Sequence, residues 1–164
     1  MLTGENVLSA QERAHIVALM AHYPQARAAC IDALNYVQAQ RGYVADDVLE
    51  ETARLLGMPA AALDEVATFY NLIFRRKVGR HVMMLCNSVT CWMLGSDGLC
   101  ARVKEVCGIG LGETSADGAL TLLPIVCLGA CDKAPALLLD GELHGGVDAQ
   151  RLAGLLGGLT AGGG

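Results

Sequence analysis

Along the first seventy or so residues the apolar positions recur at helical spacing, interrupted by short groups of turn-forming residues. Ser9-Ala10-Gln11-Glu12 has the form of a capping box: Ser9 accepts from a first-turn N–H and Glu12 reaches back to the start. A helix is predicted from there through about His22, stopped near Tyr23-Pro24. From Gln25 onward Ile31, Leu34 and Val37 stand three apart, and Gly42 is placed to end this second helix in a left-handed cap. Asp46 is the expected cap of a third helix carrying Val48, Leu55 and Leu56 before Gly57, and Pro59 suits the first turn of a short fourth. The pattern predicts a small helical bundle.

The texture then changes. Val82-Met83-Met84-Leu85 is a continuous apolar run of the kind a buried strand carries, and it ends directly on Cys86. A helix is predicted from Ser96 to Cys107, with Leu99, Val103 and Val106 at helical spacing and Gly108 as its stop. Asp117-Gly118 and Asp140-Gly141 each separate two short apolar segments, which predicts two hairpins because that dipeptide accepts positive φ. Asp148 can cap a last helix with Leu152, Leu155 and Leu156. From Gly157-Gly158 to Gly164 there is little side chain to bury, so this tail is expected to fray.

Composition narrows the function. The 164 residues suffice for one domain or two small ones, and at 53% hydrophobic and 18% charged the chain is apolar enough to predict a surface covered by a partner. A net charge of −5 argues against nucleic acid as a partner, which calls for a basic face. Arg75, Arg76, Lys77 and Arg80 are a local exception, either facing an acidic partner or forming a solvated connection. There is no run of about 18 apolar residues to span a membrane and no signal-peptide layout at Met1-Leu2-Thr3-Gly4, so a cytoplasmic protein without direct membrane insertion is expected.

Seven cysteines, an odd number, fit metal or redox chemistry better than a disulfide framework in a reducing compartment. Four of them form two pairs, Cys86 and Cys91 with four spacers and Cys127 and Cys131 with three, and 35 residues lie between the pairs. Each pair is predicted where a strand gives way to a loop, and neighbouring strands would bring both loops to one end of a sheet. Gly129 permits a tight path and leaves N–H groups to point at sulfur. Four thiolates can hold zinc, usually on two-spacer loops, or two irons bridged by sulfide, with one pair on each iron. No histidine stands in a paired position for a Rieske centre. Cys30, Cys100 and Cys107 read as packing residues in helices. Gly108-Ile109-Gly110-Leu111-Gly112 follows a helix instead of a strand and reads as a turn, without the setting of a dinucleotide fingerprint. Trp92-Met93-Leu94 can shield the site, contact a partner or belong to the core.

The segments Val66-Ala67-Thr68-Phe69-Tyr70-Asn71, Val78-Gly79-Arg80-His81-Val82, Cys86-Asn87-Ser88-Val89-Thr90-Cys91 and Cys127-Leu128-Gly129-Ala130-Cys131-Asp132-Lys133-Ala134-Pro135 together resemble the E-subunit family of bacterial NADH:quinone oxidoreductase, relatives of the 24 kDa subunit of complex I. The resemblance implies an α/β (α+β) architecture: an N-terminal helical bundle over residues 1–77, then a thioredoxin-like ferredoxin domain with a small mixed sheet over 78–160, then a flexible tail at 161–164. It implies that Cys86, Cys91, Cys127 and Cys131 ligate one [2Fe–2S] cluster of the N1a kind, and that the chain has no catalytic residue of its own. FMN and NADH would be reached only through a partner, the flavoprotein of the NADH dehydrogenase module, alongside other peripheral-arm subunits at the cytoplasmic face of the inner membrane. Related modules in NAD-linked formate dehydrogenases and hydrogenases are the alternative parents, and a zinc-stabilised interaction module is the alternative of a different class. With Lys133 the nearest cation in sequence, the centre is expected to have a low potential.

Overall fold

A computed structural model describes residues 7–161, which fall into two compact units divided between Lys77 and Val78. The first unit is helical: α1 (Ala10–Met20), a 3-10 turn (Ala26–Ala29) running into α2 (Cys30–Arg41), α3 (Asp46–Leu56) and α4 (Ala60–Phe69). The capping box forms as predicted, with Ser9 Oγ accepting from the Glu12 N–H and Glu12 accepting from the Ser9 N–H. Glu12 also receives Arg41 Nε and Nη2 at 2.7 Å each, so one carboxylate starts α1 and holds the last turn of α2. Gly42 ends α2 at φ 81 and Gly57 ends α3 at φ 65, in the left-handed region that glycine enters without cost. Ile16, Leu34, Val37, Val48, Leu56 and Leu63 are among the residues of this unit's core.

Two expectations fail here. Asp46 does not cap α3: Ala45 holds the cap position, and Asp46 is the first helical residue, where its charge still complements the helix dipole. Its carboxylate meets Arg75 Nη2 at 2.7 Å, and Arg75 Nε donates to Asp64 at 2.7 Å while Nη1 donates to the Val44 carbonyl. Arg75 is thus neither a solvated connection nor a group offered to a partner, because its own unit takes up its donors.

The second unit has a five-stranded mixed sheet, β1 (His81–Cys86), β2 (Glu113–Thr114), β3 (Leu120–Ile125), β4 (Leu137–Leu139) and β5 (Glu142–His144), in the order β2-β3-β1-β4-β5. β1 and β3 are parallel, pairing His81 with Leu120 through Cys86 with Ile125; the other pairs are antiparallel. β3 runs beyond the predicted strand and through Pro124, which lacks an N–H. That is tolerated because β2 pairs only with Thr121 and Leu122, leaving β3 without a neighbour on that side at Pro124. Helices α6 (Ser96–Cys107) and α7 (Ala149–Ala161) supply Leu99, Val103, Leu152 and Leu156 to a core completed by Met83, Leu85, Leu120, Leu122 and Leu137. Val106, expected on the buried face, is 52% exposed. Asp148 caps α7 by accepting the Arg151 N–H at 2.7 Å. Gly157 and Gly158 do not fray but lie within α7, because Leu152, Leu155, Leu156 and Leu159 form a stripe packed on the core. Of the expected flexible tail, Ala161 ends α7 and 162–164 lie outside the described residues.

Candidate metal centre

Because β1 and β3 are parallel neighbours with Cys86 opposite Ile125, the chain leaves both strands at the same end of the sheet. Cys86 is the last residue of β1, and Cys127 follows β3 by two residues. The segment after β1 is not a simple loop. It turns at once into α5 (Val89–Met93), so Cys91 is carried on a short helix, and Cys131 opens a 3-10 turn (Cys131–Lys133). Cys86 and Cys91 are buried, whereas Cys127 and Cys131 are exposed.

The thiols meet in pairs. Cys127 Sγ and Cys131 Sγ are 3.5 Å apart, and Cys86 and Cys91 are near enough to shift each other's ionisation. Each pair also feels the other electrostatically, Cys127 sensing Cys86 and Cys91 sensing Cys131. Among the described residues no group of three or more His, Cys, Asp or Glu is gathered to hold a metal ion.

Donors surround these sulfurs. Burial pushes the Cys86 thiol up, but the Ser88 hydroxyl and N–H, the Cys91 thiol and the Leu128 N–H outweigh it and hold Cys86 below the ordinary thiol range. Cys127 is also lowered, first by the Gly129 N–H, which lies 3.4 Å from its sulfur, and then by the Cys131 thiol and the Ser88 hydroxyl. Burial raises Cys91 despite a hydrogen bond from the Ala136 N–H, and the neighbouring Cys127 raises Cys131 despite one with the Thr90 hydroxyl. Gly129, at φ 75, follows the tight path expected of it and aims its N–H at sulfur.

Ser88, Thr90 and the N–H groups of Leu128 and Ala136 are not marked by the sequence. The only signal for Ser88 is a capping-type residue ahead of a short helix that no periodicity announces. Cys100 and Cys107, both in α6, pack against the core of the second unit, and Cys30 against that of the helical unit. The core reading of Trp92-Met93-Leu94 is overturned: these residues are 58%, 72% and 57% exposed. Trp92 Nε1 donates to Asp97 at 2.7 Å, which holds the ring at the surface. Val89, at 71%, and Val126, at 66%, are exposed in the same loops. Gly108–Gly112 is a turn, closed by the Gly110 N–H donating to Glu113 at 2.6 Å.

The thioredoxin-like [2Fe-2S] ferredoxin profile matches residues 16–160. The chain belongs to that family. It is 47% identical over 154 residues to the E-subunit of the NADH-quinone oxidoreductase of Pseudomonas aeruginosa, covering 94% of this chain and 93% of the relative. To the Escherichia coli K12 protein of the same name it is 45% identical over 149 residues, covering 91% and 90%. Among solved structures it superposes with a TM-score of 0.70 and 25% identity on part of an NAD+-reducing [NiFe]-hydrogenase in the H2-reduced state, covering 82% of this chain and 22% of that one. The α/β fold and the resemblance to the E-subunit family are thereby established. Among the described residues no helix is long and apolar enough to cross a membrane.

Proposed function

We propose that this chain is the electron-transfer subunit of an NADH:quinone oxidoreductase. In this reading it holds one [2Fe–2S] cluster on Cys86, Cys91, Cys127 and Cys131 and exchanges single electrons with the FMN of a partner flavoprotein. The observation that supports the reading is that Cys86 ends β1 and Cys127 follows its parallel neighbour β3 at the same end of the sheet, with Cys131 Sγ 3.5 Å from Cys127 Sγ. Two pairs suit two irons bridged by sulfide, whereas zinc prefers four sulfurs equivalent about one ion. When bound, such a cluster supplies a one-electron couple.

The chain's own residues hold and shield. Cys86 and Cys91 are buried, and backbone N–H groups from Gly129, Leu128 and Ala136 disperse thiolate charge. Cys127 and Cys131 are exposed, as are Val126, which precedes Cys127, and Val89, Trp92 and Met93, which flank Cys91 in sequence. Exposed apolar residues in the segments that carry the proposed ligands suit a partner that excludes water there, and support docking of the flavoprotein through these segments. In this reading hydride chemistry is the partner's. Through such partners the chain would be peripheral, on the cytoplasmic side of the membrane.

Anaerobic purification should yield two irons and two acid-labile sulfides per chain, in the proportion a binuclear cluster requires, and dithionite reduction should give a one-electron paramagnetic signal. Alanine at each of Cys86, Cys91, Cys127 and Cys131 should abolish it. Zinc without iron would refute the reading. The likeness to a hydrogenase favours no different parent, being much weaker than that to the respiratory relatives. Co-purification with a nickel subunit would reverse that choice.

A further inference from the structure

A cavity of about 740 Å³ opens between α6, α7 and the turn that joins β2 to β3. It lies at the end of the sheet away from the cysteines: Arg80 precedes β1 and Leu120 begins β3, whereas Cys86 ends β1. Five strand steps of about 3.3 Å put the two ends of β1 roughly 16 Å apart. The volume falls in the range of about 300–1,000 Å³ usual for small-ligand pockets. Val106, Leu120, Leu156 and Leu159 supply aliphatic walls. No aromatic side chain stands among the described lining residues, so nothing in the cavity would stack on a ring.

Two cations line the same cavity, Arg80 just ahead of β1 and Arg102 on α6. Arg80 Nη1 reaches the Asp117 carbonyl only at 3.5 Å. Arg102 Nη1 donates to Glu105 Oε2 at 2.7 Å, but both side chains of that pair are exposed, and such pairs hold loosely. The carboxylate that lines the cavity, Asp117, is turned into its own hairpin, where Oδ1 accepts from Ser115 Oγ and from the Ala119 N–H. Both guanidiniums can therefore turn to an incoming anion.

We infer that this cavity binds a single-chain aliphatic anion, a carboxylate or phosphate monoester whose chain lies on the leucines and whose head is held by Arg80 and Arg102. A guanidinium fork matches either head, and aliphatic walls favour the chain by an amount that grows with each methylene taken from water. α7 lines the cavity from Ala153 to Leu159, about 9 Å of helix, which suits a chain of medium length instead of a whole lipid. The site shares no residue with the proposed metal centre, so the inference stands whether or not the cluster reading does.

The test is a calorimetric titration of the intact chain with decanoate and with decyl phosphate, each below its micelle-forming concentration. At least one should bind saturably, one molecule per chain, and the tighter of the two names the head. Decanol, with the same chain and no charge, should bind at least about tenfold more weakly, as should either anion to the double variant Arg80→Gln, Arg102→Gln. Ala153→Leu changes an exposed helical position to another good helix former, so it should fill the cavity and weaken binding severalfold without lowering the melting temperature. If Ala153→Leu does not fold, the arginine variant decides, since it alters the surface alone. Absence of saturable binding by both anions would overturn the inference, as would equal binding of decanol or wild-type affinity in the double variant. Binding to anionic phospholipid vesicles without binding to either monomeric probe would overturn it too, by showing a surface for headgroups in place of a single-chain site.

Discussion

Glu12 shows how much one side chain can carry. Its hydrogen bonds from Arg41 lead the effects that lower its pKa from 4.5 to about 2, against a desolvation cost that raises it. A folded pKa below the unfolded one stabilises fully above about pH 4.5 and loses that stability as pH falls toward about 2. Glu12→Gln keeps the reciprocal cap but removes the charge, so at neutral pH it should cost about 2–3 kcal/mol in urea unfolding. It should also flatten the acid limb of the stability profile. Cys107 makes the opposite case: burial raises its thiol, which keeps it protonated and inert. Cys107→Ala should leave iron content unchanged and cost about 1 kcal/mol of packing, separating the bystander cysteines from the proposed ligands.

Among the elements, the turn that opens on Cys131 depends on a glycine far from it in sequence. A Cβ on Gly145 would fall 2.6 Å from Lys133 Cβ and 3.0 Å from the Lys133 carbonyl, and neither atom is the free end of a flexible chain. Gly145→Ala must push the Cys131–Lys133 turn aside. Cluster retention during anaerobic gel filtration should therefore drop severalfold, although no proposed ligand has changed. A variant retaining iron as the wild type does would show that the turn moves without moving Cys131. Local patterning foresees the strand ending on Cys86, the Ser96–Cys107 helix and both hairpins. It misses α5, because Val89–Met93 is too short to display a period.

For the whole molecule, the apolar composition acquires a location. Trp92 and Met93, directly after Cys91, are exposed instead of serving the core. A tryptophan at the centre of an interface often carries about 2 kcal/mol or more of binding. Trp92→Glu should therefore weaken association with the proposed flavoprotein at least about tenfold, measured by binding titration. Iron content and the paramagnetic signal should be unchanged. Equal affinity in the variant would place the docking face elsewhere.

The helical first half, the β-rich second half, the pairing of four cysteines and the family resemblance are all legible along the chain, because periodicity, turn dipeptides and ligand spacing are local properties. Other outcomes emerge only on folding: which thiols are buried, the uptake of Arg75 within its own unit, and the hydroxyl of Ser88 that forgoes its cap to lie against sulfur. These depend on β1 and β3 lying side by side and on residues distant in the chain meeting at fixed distances. Burial and donor geometry are properties of that assembly, and no short window of sequence contains them.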